Sequence, residues 1–192
     1  MDDRLTRSLK VVAIVLTVAF VGWAGYEKFV AGSAPGDFAY HDANNLFEDG
    51  FYERAAAGYR EALAEAPDHL HALRGLARSL HKMGAHDEAL AVYDEAIARA
   101  PDFGGTYANR GILLDTMGRH EEALADYTRA LQLDPAIADG PHWLTRFLRN
   151  QPEAPPTVAD RAAYLRAELA KPEGERVLMV PEIDAQQRPY KQ

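Results

Sequence analysis

Residues 70–101 read LHALRGLARSLHKMGAHDEALAVYDEAIARAP, and residues 104–135 follow the same pattern as GGTYANRGILLDTMGRHEEALADYTRALQLDP. A weaker copy occupies residues 36–67. The copies share a small residue at the eighth place, leucine at the eleventh, glycine at the fifteenth, alanine at the twentieth and twenty-seventh, tyrosine at the twenty-fourth and proline at the end. The prolines are Pro67, Pro101 and Pro135, each 34 residues from the next. The chain therefore contains three consecutive units of one length.

The spacing within a unit predicts a pair of helices. Small side chains at the eighth, twentieth and twenty-seventh places let two helices approach closely, and the tyrosine fills the gap between neighbouring pairs. Glycine at the fifteenth place accepts the left-handed geometry that ends the first helix, and proline stops the second. We expect helices over 38–49 with 52–66, 70–83 with 86–99, and 104–117 with 120–133. One pair cannot bury its apolar face alone, so stacked pairs share a core.

Three 34-residue units with small, aromatic and proline places in this order resemble tetratricopeptide repeats (TPR). The resemblance covers residues 36–137. It implies an all-α fold, a TPR helical-hairpin solenoid of three repeats (37–137) that we expect to carry capping helices and an N-terminal transmembrane helix. In TPR proteins the first helices of the pairs line a concave groove that binds partner proteins.

The resemblance also implies which residues face that groove, mainly the second, fifth, ninth, twelfth and thirteenth places of each first helix. Asn109 stands at the sixth place, from which TPR asparagines often reach a ligand backbone. The second repeat offers three cations one helical turn apart, which form an exposed basic stripe. Aromatic residues of the first repeat flank this stripe. We therefore expect a partner protein or peptide with acidic and apolar groups, against the alternative that the stripe is only a solvated face. The predicted partner-binding residues are Tyr40, Asn44, Phe47, His71, Arg74, Arg78, Lys82 and Asn109.

Some TPR chaperone adaptors clamp the terminal carboxylate of a peptide with lysines and asparagines. Arg74 and Asn109 are similar to two parts of such a clamp. Arg78 replaces an expected asparagine, however, and Trp143 stands where the next unit would supply a cation. The sequence therefore does not predict that particular clamp.

The N-terminal segment, residues 1–30, predicts a cytoplasmic stub and a transmembrane signal anchor. Residues 11–26 are an unbroken run of apolar, small or interfacial residues, VVAIVLTVAFVGWAGY. Sixteen helical residues span roughly 24 Å, slightly less than a hydrocarbon core of ~30 Å. Three basic residues precede the run and few follow it, which favours a cytoplasmic N-terminus. We expect a single-pass protein of a bacterial inner membrane, with the repeats in the periplasm and the lipid bilayer as a second partner.

A cleavable signal peptide is the alternative, with a small-residue cleavage site before Ala34. Glu27 and Lys28 lie between the apolar run and that site, where charge is unfavourable. Both interpretations export the repeats. Residues 31–36 are predicted to be a short linker.

The region after the repeats, residues 138–170, predicts capping helices. A fourth unit starts over 138–150 but lacks a matching second helix, since residues 151–156 are rich in proline. Thr157 and Asp160 then form a weak capping-box pattern, and apolar residues recur on one face over 157–170. Residues 171–192 are predicted to be an extended tail.

The composition excludes several kinds of chemistry. The chain has no cysteine, so thiolate metal sites, disulfides and cysteine nucleophiles are absent. Its net charge of −8 disfavours nucleic acid. His69 and His71 lie at a repeat junction without further ligands, so we expect no metal there. We also expect no catalytic residues, no cofactor and no small-molecule substrate.

These features together predict a non-enzymatic scaffold or assembly factor on the extracytoplasmic face of the inner membrane. The alternative is a constitutive accessory subunit of a membrane protein complex. An enzyme with an unrecognised site is a third hypothesis, and no motif supports it.

Overall fold

The computed structural model describes residues 3–26, 34–140 and 155–179. Eight α-helices lie in these ranges. In chain order they are α1 (Asp3–Tyr26), α2 (Asp37–Glu48), α3 (Tyr52–Glu65), α4 (Leu70–Lys82), α5 (His86–Arg99), α6 (Gly104–Thr116), α7 (His120–Leu133) and α8 (Val158–Leu169). Two 3₁₀ turns, Pro135–Asp139 and Glu173–Glu175, complete the described secondary structure.

Helices α2 to α7 form three antiparallel pairs that stack in chain order, and each pair packs against the next. The predicted pairs are confirmed to within about two residues at each end. Gly50, Gly84 and Gly118 have φ of +83°, +78° and +76°, which is the left-handed conformation expected after the first helix of each pair. The second helices end two residues before each repeat proline.

The core of the stack consists of tyrosine rings packed on small residues. Tyr59, Tyr93 and Tyr127 are fully buried, and so are the alanines of the twentieth and twenty-seventh places. A Cβ added to Gly75 would collide with the Tyr59 ring of the preceding pair. Room for the ring therefore depends on the absence of a side chain at Gly75.

The N-terminal helix α1 exposes its apolar side chains. Val11, Leu16 and Trp23 are examples, each more than half exposed. Across 3–26, 34–140 and 155–179, we find no helix that combines the length and the apolar character needed to cross a membrane. The predicted transmembrane helix is therefore without support from the structure.

The stack ends differently from the prediction. Residues 138 and 139 belong to the 3₁₀ turn, and Gly140 follows with φ +65°. A helix beginning at Ala138 is therefore wrong, because Asp134 caps a tighter turn by accepting a hydrogen bond from the Ala136 N–H. The rest of that predicted helix (141–150), most of the linker (27–33) and the end of the tail (180–192) lie outside the described residues.

The second predicted capping helix is confirmed as α8. The Thr157 hydroxyl accepts a hydrogen bond from the Asp160 N–H, and the Asp160 carboxylate accepts one from the Thr157 N–H. The hydrogen bond from the Thr157 N–H, together with one from the Thr157 hydroxyl to the same carboxylate, holds the pKa of Asp160 below its usual value. The reciprocal pair satisfies two backbone donors that a helix start leaves without partners.

Helix α8 packs on α7 and covers the apolar end of the stack. Ala162 and Leu165 are buried in a cluster with Ile112 and Tyr127 of the third pair. Arg161 reinforces this contact through a bidentate ion pair with Asp115 of α6, at Nε–Oδ2 and Nη2–Oδ1 distances of 2.6 and 2.9 Å. Both side chains are buried, so the cap is fixed by charge as well as by apolar contact.

Residues 171–179 turn back along α8, and we call them the C-terminal strap. The Val177 N–H donates to the Glu168 carboxylate, and the Leu178 carbonyl accepts from Arg161. The Tyr164 hydroxyl donates to the Val177 carbonyl. The Leu178 side chain packs against the cluster of the third pair and α8. The first part of the predicted tail thus lies on the protein's own cap.

Leu165→Asp should lower the free energy of unfolding by about 2–4 kcal/mol, because the carboxylate would be buried without a partner or α8 would undock. Ala163→Asp, on the exposed side of the same helix, is the matched control and should cost about 0.5 kcal/mol through helix propensity. Chemical denaturation of the full chain measures both. Equal unfolding free energies for the two variants would contradict the packing of α8 on the stack.

Candidate functional site: the concave face of the repeats

The predicted partner-binding residues come from three neighbouring helices. Tyr40, Asn44 and Phe47 lie on α2, and Asn109 lies on α6. The remaining four, His71, Arg74, Arg78 and Lys82, lie on α4 between them. Helix α4 contacts both α2 and α6. The structure thus brings these residues to one side of the stack, which we call the concave face.

Arg74 lies over an aromatic ring that the sequence analysis did not include. Its guanidinium carbon is 3.8 Å from the centre of the Phe103 ring, a favourable cation–π distance. Burial lowers the pKa of Arg74 from its usual value, and the nearby charge of Asp102 opposes this shift. Phe103 lies immediately before α6. The one sequence signal that could have identified it is this place at the start of the first helix of the neighbouring repeat.

Arg78 is held in the same manner one helical turn further along α4. Its guanidinium carbon lies 4.8 Å from the centre of the Phe47 ring. Burial raises the pKa of the neighbouring Tyr59 to about 12, although the positive charge of Arg78 opposes the shift. The Tyr59 hydroxyl donates a 2.6 Å hydrogen bond to Asn44. The aromatic and amide groups of the first repeat therefore position the second cation.

The structure corrects the expectation of an exposed basic stripe. Arg74 and Arg78 are only 4% and 7% exposed, whereas Lys82 is exposed. The Nε atoms of both arginines are buried without a hydrogen-bond partner, and among the described residues no carboxylate forms an ion pair with either guanidinium. We call Arg74 and Arg78 the arginine pair. Asp102 is near Arg74 but forms no ion pair with it. Burying a guanidinium without a directly paired carboxylate is costly, so the pair is an unsatisfied feature of this face.

An aromatic group adjoins the arginine pair at the first repeat. The Tyr40 ring lies 4.8 Å from His69 and 6.0 Å from His71, between ring centres. His69 starts α4 by accepting a hydrogen bond from the Ala72 N–H at Nδ1, and its Nε2 lies 3.3 Å from an Asp37 oxygen. Both nitrogens of His69 therefore serve the junction between the repeats.

The third repeat contributes differently to the concave face. Asn109 is 1% exposed. Asp115 occupies the twelfth place, where Phe47 stands in the first repeat, and it binds Arg161, His120 and Tyr127. Asp115 stands at one of the places that the resemblance assigns to the groove, but the sequence analysis missed its role in holding the cap. Its pairing with Arg161 spans 46 residues, so no local pattern marks it.

The described ranges 3–26, 34–140 and 155–179 contain no group of three or more histidine, aspartate or glutamate side chains arranged to hold a metal ion. The concave face instead offers two desolvated guanidinium groups, stacked aromatic rings and one buried amide. Such an arrangement can bind carboxylates and apolar side chains without covalent chemistry.

Comparison with known sequences agrees with this architecture. Residues 46–109 and 106–136 each match a sequence profile described as "Tetratricopeptide repeat". The chain carries tetratricopeptide repeats. No curated protein has a matching sequence. The TPR fold is generally a non-enzymatic protein-interaction module, and the repeats therefore suggest a protein–protein interaction scaffold.

Several solved structures show the same fold at low sequence identity. The type III secretion translocator chaperone SycD of Yersinia enterocolitica is 19% identical, with a TM-score of 0.58 over 74% of this chain and 99% of that one. The first TPR of Spaghetti (RPAP3), bound to the HSP90 peptide SRMEEVD, is 22% identical, with a TM-score of 0.51 over 61% and 90%. The TPR2B domain of yeast Sti1 in complex with pHsp70 is 21% identical, with a TM-score of 0.52 over 62% and 94%.

His81, at the twelfth place of the second repeat, should make stability depend on pH. Burial, helped by Lys82 and His86, lowers the pKa of His81 to about 4. The unfolded chain, with a pKa near 6.5, therefore binds the proton first as pH falls. The stabilisation is complete above pH ~6.5 and is lost progressively toward pH ~4, by about 1–2 kcal/mol at pH 5.

The measurement is the difference in unfolding free energy between pH 7 and pH 5. His81→Gln should reduce this difference by about 1–2 kcal/mol relative to the wild type. His41→Gln, whose ring is exposed, is the control and should leave it unchanged. An identical pH dependence in wild type and His81→Gln would show that His81 is not buried neutral.

Proposed function

We propose that this protein is a non-enzymatic scaffold or assembly factor whose concave face holds a carboxylate-bearing segment of a partner protein. The observation that carries the proposal is the arginine pair, two buried guanidinium groups whose Nε atoms lack hydrogen-bond partners. A ligand carboxylate would supply the missing counter-charge and acceptor in a place with little water.

The rings beside the arginine pair define the rest of the ligand. Phe47 and Phe103 each cover one face of a guanidinium, and Tyr40 stands at the first-repeat end. Aromatic surface of this kind supplies most of the affinity in protein interfaces, while charge fixes orientation. The partner segment should therefore carry acidic side chains next to at least one apolar side chain. Two solved TPR relatives are described in complex with HSP90 and pHsp70 ligands.

We place this activity at the extracytoplasmic face of a bacterial inner membrane, with α1 as the anchor. The proposal rests on the basic residues that precede the apolar run and on the exposed apolar side chains of α1. Lys10 and Lys28 could extend the apolar run by reaching the lipid headgroups.

Proteinase K added to intact spheroplasts of cells that make the full chain should digest residues 34–192 and leave an N-terminal fragment in the membrane fraction. The physical reason is that the positive-inside rule retains the basic N-terminus in the cytoplasm. Digestion only after the membrane is broken would overturn the location. A soluble product that begins near Ala34 would replace the anchor by a signal peptide.

A labelled SRMEEVD peptide should bind the full chain with micromolar affinity, and its neutral counterpart SRMQQVN with an amidated end should bind at least about tenfold more weakly. Replacing the arginine pair, as Arg74→Gln with Arg78→Gln, should weaken the acidic peptide by a similar factor. Fluorescence polarisation measures each dissociation constant.

Arg60→Gln is the control for this experiment, because Arg60 is an exposed cation on the outer helix α3. It should change the affinity less than twofold. The double variant should stay folded, since it removes buried charges that form no ion pair with a described carboxylate, and its unfolding temperature checks this. Equal affinity for the acidic and neutral peptides, or undiminished binding by the folded double variant, would refute the proposed function.

A further inference from the structure

Helix α4 buries its concave residues as well as its core residues. All nine of its residues from 72 to 80 are buried. Helices α3 and α5 pack on α4 from the convex side, yet the concave places held by Arg74 and Arg78 are also shielded. Part of this shielding comes from the Phe103 and Phe47 rings over the two guanidinium groups. His71 and Lys82 on the same face are exposed, so the rest of the face is open to a ligand.

The C-terminal strap leads toward this face. Leu178 accepts a hydrogen bond from Arg161, and the same Arg161 nitrogen binds Asp115 on the concave side of α6. Met179, the last described residue, thus follows directly on the third-repeat end of the concave face. Neighbouring helices lie about 8–10 Å apart, so a chain that continues from Met179 needs roughly three extended residues to pass from α6 to α4.

We propose that residues 180–192 of this chain bind the concave face as an internal ligand that a partner must displace. The inference rests on the proposed function, because it gives the same groove a competing occupant. Residues 180–184 read VPEID, which places Glu182 and Asp184 three and five residues beyond Met179. Their carboxylates match the charge of the arginine pair, and Pro181 and Ile183 match the aromatic rings.

Charge favours this occupant over residues 141–154, the longest other segment outside the described residues. Residues 141–154 contain Arg146 and Arg149 with Glu153 as the single acidic residue. Two further cations beside the arginine pair would add repulsion in a place where neither guanidinium forms an ion pair with a described carboxylate. The segment 180–184 carries two acidic residues and no cation, and the cations of the tail, Arg188 and Lys191, come only after it.

An attached ligand competes strongly even when its own affinity is weak. A short tether gives an effective concentration of the order of millimolar, so a tail segment of sub-millimolar affinity would occupy the groove most of the time. A partner then binds more weakly, because its apparent dissociation constant is the intrinsic constant divided by the fraction of molecules whose groove is open. Partner binding would also free the tail, which couples occupancy of the groove to exposure of the C-terminus.

Crosslinking tests the contact directly, since the chain has no cysteine of its own. In the full chain, Lys82→Cys with Ile183→Cys places one thiol beside the groove and one in the tail. A short bismaleimide should join them within one molecule in high yield. Arg60→Cys with Ile183→Cys is the matched control on the outer helix α3 and should give little product. Equal yields for the two pairs would overturn the proposal.

Competition tests the consequence in the full chain with the labelled SRMEEVD probe. Glu182→Lys with Asp184→Lys should lower the dissociation constant of the probe about tenfold, as expected if the tail covers the groove roughly nine-tenths of the time. Glu173→Lys with Glu175→Lys changes the net charge equally at exposed strap positions and should change it less than twofold. Adding Arg74→Gln and Arg78→Gln to the variant Glu182→Lys with Asp184→Lys should abolish its increased affinity for the probe.

The outcomes separate the two proposals. Arginine-dependent probe binding that the tail variant does not strengthen would leave the proposed function in place and overturn the internal ligand. The internal ligand is also overturned if Glu173→Lys with Glu175→Lys strengthens probe binding as much as Glu182→Lys with Asp184→Lys. Probe binding that is independent of the arginine pair in every variant would overturn the proposed function and the internal ligand with it.

Discussion

The stack depends on the space that a missing side chain leaves for a tyrosine ring. Tyr59 fits against Gly75 of the next pair, and the same kind of contact joins Tyr127 to Gly111 within the third pair. Each ring fills the volume between helices and leaves no room for a Cβ, so the helices have one separation and one rotation. This constraint fixes which residues of α4 face the concave side of the stack. The arginine pair is therefore presented by packing and not by its own interactions.

The repeat pattern predicted most of the fold because it is local. Gly84, Tyr93 and Pro101 each act on neighbouring residues or on the adjacent pair, so their spacing is visible in the sequence. The pairing of Asp115 with Arg161 could not be predicted, since it depends on how α8 returns across 46 residues to α6. Burial of the arginine pair was missed for a related reason, because a four-residue spacing gives the helical face but not what covers that face.

Uncompensated charge sets the chemistry of the concave face. The structure pairs other cations with carboxylates: Arg110 binds Asp126 and Asp94 in the outer layer, and these hydrogen bonds raise its pKa. Arg74 and Arg78 receive aromatic rings in place of carboxylates. A ring shields a cation from water and returns only a small part of the lost hydration energy. An anionic group of a ligand would therefore be stabilised beside the arginine pair.

The side chain at the twelfth place of the first helix has a different role in each of the three repeats. In the first repeat, Phe47 stacks on the Arg78 guanidinium. In the second, burial keeps His81 neutral. In the third, Asp115 holds the cap through Arg161. The three side chains occupy equivalent backbone positions, so the stack itself does not distinguish them. Because Arg161 neutralises Asp115, the one carboxylate at this place does not repel an acidic ligand near α4. The ion pair that closes the stack thus also leaves the arginine pair as the dominant charge of the concave face.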